Sequence, residues 1–142
     1  MKIIRISTEN KITVHEFPEG TYSEQNRKLC EMIGYRCELY EHVMPKLLYT
    51  ELGGSNKVTN EEGGCVSMLI DEEGLYHDLE TNIVGSYLYE SDKHGCVIAG
   101  NILIVGERWT EDGIDFCGIS DNQFNILYPR LKELTEKAGG CK

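Results

Sequence analysis

No stretch of this chain approaches the roughly 20 consecutive apolar residues that a membrane-spanning helix needs. The opening Met1-Lys-Ile-Ile-Arg-Ile carries no apolar run long enough for a signal peptide. A cytoplasmic location and no membrane partner are therefore expected. Positive charge is also scarce: 14 Lys and Arg stand against 24 Asp and Glu, giving a net charge of -10. That balance argues against a nucleic-acid binder working through a basic surface, so no direct nucleic-acid binding is expected. Six cysteines are present (Cys30, Cys37, Cys65, Cys96, Cys117, Cys141), but they lack the paired spacing of a disulfide framework. Reduced thiols are expected, four of them inside apolar strand-like runs such as Cys96-Val-Ile and Asp115-Phe-Cys117. Only Cys141 is expected at the surface.

Signatures of chemistry are missing as well. His94-Gly-Cys96 is the one close pair of metal-ligating types, and it lacks the Pro-Cys-x-x-Cys half of the zinc deaminase motif. There is no Walker sequence and no Gly-x-Gly-x-x-Gly after a strand. Gly53-Gly-Ser-Asn-Lys57 comes nearest to a phosphate cradle, and a loop tip has the same composition. No nucleophile stands beside a base at recognisable spacing. The reading is of a protein without cofactor, metal or catalytic residues, although its histidines and carboxylates leave ligand cleavage open.

What is present organises the 142 residues as one α+β domain, 1–142. Lys2 to Ser7 and Lys11 to Phe17 are β-branched-rich runs around Thr8-Glu-Asn10, which predicts a hairpin. Thr21-Tyr-Ser-Glu24 is a capping box opening a helix with Leu29, Cys30 and Ile33 on one face, and Gly34 offers a left-handed residue to end it. Tyr35 to Met44 reads as a strand stopped by Pro45, and Lys46 to Gly64 as a long loop. Cys65 to Ile70 is a strand, which Asp71-Glu-Glu-Gly74 turns back onto Leu75-Tyr-His77. Another strand is expected within Val84 to Glu90. Cys96 to Glu107 predicts the central strand, with a bulge or close approach at Gly100-Asn101, and Asp115 to Gly118 a short final one. Ser120-Asp-Asn-Gln123 is a second capping box, with Ile119 and Phe124 at staple positions, and Pro129 should kink or restart the helix it opens. The predicted fold is α+β, a largely antiparallel mixed sheet of about six or seven strands covered by two helices.

The order of these features resembles the domain-of-unknown-function family 3846, small proteins of phages, plasmids and Gram-positive bacteria often encoded beside antirestriction genes. The resemblance covers nearly the whole chain. It rests on the N-terminal hairpin, the helix ending in Ile33-Gly34, Cys37-Glu-Leu-Tyr40, Leu69-Ile-Asp-Glu-Glu-Gly74, Leu79-Glu-Thr-Asn82 and Gly100-Asn-Ile-Leu-Ile-Val-Gly106. The segment Pro45 to Gly64 is longer than in shorter members. The resemblance implies a mobile-element gene, a counter-defence role and, for a phage gene, the host cell cytoplasm.

Within that context the aromatics suggest a binding site. Tyr87 and Tyr89 would share one face of a strand and, with Tyr40, Tyr49 or Trp109, form a stacking wall for a nucleobase whose edge Asn82 or Asn101 reads. Arg36, His42 or Lys46 would complete the pocket, with His42 placed to read a phosphate or a base. The expected function is to bind and sequester a small nucleotide-like immune signal without catalysis, as a homo-oligomer whose subunits enclose the pocket together. The alternative is an acidic DNA mimic that binds a host defence protein. From Glu61 to Asp92 there are nine carboxylates and no Lys or Arg; the same carboxylates would also serve only to keep the protein soluble.

Overall fold

The computed structural model describes residues 1–57 and 61–140. The opening hairpin forms as its sequence predicts. β1 (Lys2–Ile6) and β2 (Ile12–Glu16) pair antiparallel with Ile4 opposite Val14. Asn10 takes the left-handed turn position at φ 63°, where a short polar side chain is tolerated. Helix α1 (Tyr22–Ile33) starts at Thr21, whose hydroxyl accepts the Glu24 amide. Gly34 does not end it in a left-handed turn: its φ of 177° is plain extended backbone, and its N–H bonds the Cys30 carbonyl.

Several expected strands are replaced or shortened. The strand expected from Tyr35 is only β3 (Tyr40–Val43), because the chain from Gly34 to Leu39 is occupied by turns, with the Cys37 amide on the Gly34 carbonyl. Part of the expected loop is a short helix, α2 (Lys46–Thr50). β4 (Cys65–Asp71) is buried at every residue, as suits a strand covered on both faces. After Asp71 the chain winds through successive turns, and Leu75-Tyr-His77 forms no returning strand.

The expected strand at Val84 to Glu90 is instead helix α3 (Ile83–Tyr89). Asn82 decides it: as N-cap its side-chain oxygen takes the Gly85 amide at 2.8 Å, and Val84 and Leu88, four residues apart, face the core. A four-residue turn, α4 (Ser91–His94), follows directly. The central strand β5 (Ile102–Thr110) begins later than expected, leaving Cys96 exposed in a loop. Gly100 has φ 88°, and a Cβ there would lie 2.9 Å from Leu79. β6 (Gly113–Cys117) folds back on β5, and α5 (Asp121–Gly140) runs unbroken through Pro129, without the expected restart.

All six strands pair antiparallel in the order β2-β1-β5-β4-β3, with β6 sharing the β1 edge of β5. The close approach at that junction requires Gly106, where a Cβ would sit 2.2 Å from the Gly118 carbonyl oxygen. Alternation along the strands divides the apolar residues into two layers. Ile4, Val66, Met68 and Ile104 meet Leu48, Val84, Leu88, Leu127 and Leu131 of α2, α3 and α5. Ile3, Leu69, Leu103 and Val105 meet Leu29 and Ile33 of α1 on the opposite side. Among the described residues no helix is long and apolar enough to cross a membrane.

Candidate functional site

β3 is an edge strand, and beyond its end α2 and the α3–α4 junction close around an open cavity of about 580 Å³. His42 from β3, Lys46 and Tyr49 from α2, and Tyr89 and His94 all line it. Glu90 produces part of this geometry. Its left-handed backbone (φ 57°) ends α3 and reverses the chain, so that His94 stacks on Tyr89 with ring centroids 4.4 Å apart and planes 21° from parallel. The His42 ring is braced edge-on by Phe116 at 5.5 Å. Tyr49 donates to the Val66 carbonyl at 2.6 Å. Burial, then the negative charge available to Cys65 and Glu107, raises the Tyr49 pKa and keeps the hydroxyl a donor.

Behind His42 lies a carboxylate in the sheet. Glu107, on central strand β5, is 6% exposed, and its Oε1 is 3.6 Å from His42 Nε2. The Ser67 hydroxyl donates to the same oxygen, and the Cys65 thiol donates to Oε2 at 3.4 Å. These contacts account for a charged residue in the core, which is seldom buried without partners. Burial followed by the Glu107 charge pushes the Cys65 thiol up to about 12, so it is a hydrogen-bond donor and no nucleophile at neutral pH. The arrangement holds a half-exposed imidazole against an anchored carboxylate. Glu107 was readable only as an acidic residue at the end of an apolar run, alternating onto the same face as Leu103 and Val105.

The structure thus brings together four of the residues named from the sequence, His42, Lys46, Tyr49 and Tyr89, and separates the rest. Tyr40 lies on a different cavity beside α1, its hydroxyl donating to Asn26. Arg36 and Asn101 line a smaller cavity of about 210 Å³. Both have structural partners there: Arg36 donates to the His77 carbonyl at 3.3 Å, while Asn101 bonds Ile33 O and the Thr8 amide. Asn82 is fully buried; its amide donates to the carbonyls of Ile6 and Gly100, both at 3.0 Å. Tyr87 and Tyr89 share no strand face. On a helix, positions two apart are separated by about 200°, and Tyr87 is exposed toward Arg130 on α5. Trp109 is half-exposed at the far end of β5, paired with Ile114.

Other sequence candidates also resolve. In Gly53 to Lys57 the Gly54 amide bonds Leu48 O, Ser55 N bonds Gln123 Oε1, and Lys57 N bonds Ser55 Oγ, so these amides stabilise the loop instead of converging on an anion. The carboxylates of Glu61 to Asp92 are spread along the molecule. Glu62 pairs with Arg108 near the start of β4, while Asp71 and Glu73 flank His77 beyond its end, about 20 Å along the strand. Asp71 is itself buried. Among the described residues no group of three or more His, Cys, Asp or Glu is placed to hold a metal ion. Cys141 lies outside the described residues. Comparison with protein-family models, curated proteins and solved structures finds no match to this chain.

Proposed function

We propose that the protein binds a small anionic, aromatic ligand of nucleotide type at the β3-edge cavity and sequesters it without turnover. The observation that carries this reading is the convergence of His42, Lys46, Tyr49 and the stacked Tyr89–His94 pair on one open cavity. Lys46 supplies positive charge and the imidazoles supply ring nitrogens that hydrogen-bond a phosphate, and the stacked pair offers a flat surface to a base. The cavity volume lies within the range that accepts small ligands. The resemblance to family 3846 adds the biological sense, removal of an immune signal by a mobile element in its host's cytoplasm. Met44 is 54% exposed on the cavity wall, and a second copy of the chain seated there would complete the enclosure.

Native mass spectrometry after incubation with cyclic and linear nucleotides tests this. Intact nucleotide should be recovered in fixed ratio with an oligomer. His42→Ala combined with Lys46→Ala should weaken binding by about tenfold or more, since hydrogen bonds to charged groups contribute roughly 1.5–3 kcal/mol. Binding unaffected by the double substitution overturns the site; turnover of the nucleotide overturns sequestration. No binding to any nucleotide overturns the reading and favours a protein partner.

A further inference from the structure

A cavity of about 670 Å³ lies between α1 and the turns leading into β3, away from the cavity at the β3 edge. Residues four apart on a helix stand one above the other, so α1 offers it two rows: Tyr22, Asn26 and Cys30 beside Ser23, Arg27 and Glu31. The facing wall runs from Cys37 to Tyr40. The Tyr40 hydroxyl donates to Asn26 Oδ1 and so joins the two walls; among the described residues the Asn26 amide nitrogen has no partner and remains a donor. The Cys37 thiol donates to the Leu39 carbonyl, and burial raises both it and Cys30, so the thiol surface of the cavity is uncharged.

The charged groups on this lining are of both signs. Among the described residues Arg27, Glu31 and Glu38 have no ion-pair or hydrogen-bond partner, although Arg27 and Glu31 stand at the i, i+4 spacing where a pair commonly forms. We infer that this cavity is a second binding site, for a dipeptide with both termini free and an aromatic C-terminal side chain. Arg27 and the Asn26 amide receive its carboxylate, while Glu31 and Glu38 receive its ammonium. Two carboxylates against one guanidinium repel a polyphosphate, so the ligand class differs from that proposed for the β3 edge.

Length decides between a dipeptide and a free amino acid. Arg27 and Glu31 are separated by about 6 Å along the helix axis. An extended chain spans at most about 3.3–3.6 Å per residue, which puts the terminal charges of a dipeptide roughly 6–7 Å apart and those of a free amino acid about half that. Direction follows as well. Tyr22 precedes Arg27 on α1 and Tyr40 is bound to Asn26, so the aromatic surface lies at the carboxylate end, where a C-terminal ring can stack. Cys30 and Cys37 adjoin Glu31 and Glu38 in sequence at the ammonium end, which suits a small first side chain.

The full chain should be titrated with alanyl-phenylalanine and followed by calorimetry and by amide NMR shifts. The expected result is saturable binding, with shifts centred on Asn26 to Glu31 and Glu38 to Tyr40. The N-acetylated dipeptide, its C-terminal amide and free phenylalanine should each bind about tenfold more weakly or worse, as loss of a charged hydrogen bond requires. Arg27→Ala, and Glu31→Gln combined with Glu38→Gln, should weaken the free dipeptide to the same extent; all three side chains are exposed, so these variants keep the fold. Nucleotide binding at the β3 edge should be unchanged by Arg27→Ala. No saturable binding, capped forms that bind as tightly as the free dipeptide, or shifts centred instead on His42 and Lys46 overturns the proposal.

Discussion

Asn82 shows how a side chain chosen as a reader of bases can be committed to the fold. Its amide and oxygen join the end of β1, the approach to β5 and the first turn of α3. Asn82→Ala would leave two buried carbonyls without that donor and remove a helix cap, so it should cost about 2–4 kcal/mol in urea unfolding. Sequence reading saw the residue type but not its three partners, which come from segments up to 76 residues away. His42 and Lys46 were legible because they border a strand end. Glu107 was not, because its meaning depends on Ser67 and Cys65 of the neighbouring strand and on His42 beyond them.

At the scale of elements, the hairpin, both capped long helices, β4 and β6 were written in local turn and capping chemistry. α3 was not, because Val84-Gly-Ser-Tyr-Leu-Tyr alternates well enough to suggest a strand, and only the Asn82 cap and the burial of Val84 with Leu88 distinguish the helix. Tyr35 to Leu39 misled for a related reason. Its alternating residues lack neighbours to pair with, since β4 meets β3 only from Tyr40 onward. Pro129 sits within a continuous α5 and contributes no backbone donor there. Pro129→Ala should restore that donor and raise the unfolding free energy by on the order of 1 kcal/mol, measured by denaturant titration. A loss of stability would show instead that the ring's packing or the rigidity it lends the unfolded chain dominates.

Across the whole molecule, buried thiols couple stability to alkaline pH. Burial first, then the Glu62 charge, lifts Cys117 from 9.0 to about 11, and Cys65 rises to about 12. Since the folded thiols hold their protons more tightly than the unfolded ones, their contribution is complete below about pH 9. It is lost as the pH rises through 9 toward 11 and 12. Thermal unfolding should show the melting temperature falling across that window. Cys117→Ala combined with Cys65→Ala should flatten the fall, even if the variant is less stable throughout.

The seating of β5 between β1 and β4 also has a consequence for the time at which the molecule can exist at all. Ile4 pairs with Ile104, and Cys65 with Glu107, so a nascent chain leaving the ribosome must hold its first hairpin unmated until the last third of the sequence arrives. Such distant pairings place folding toward the slow end of small domains, in roughly milliseconds to seconds. Until then the apolar edges of β1 and β4 stand open, and synthesis itself is when this protein is most exposed to aggregation.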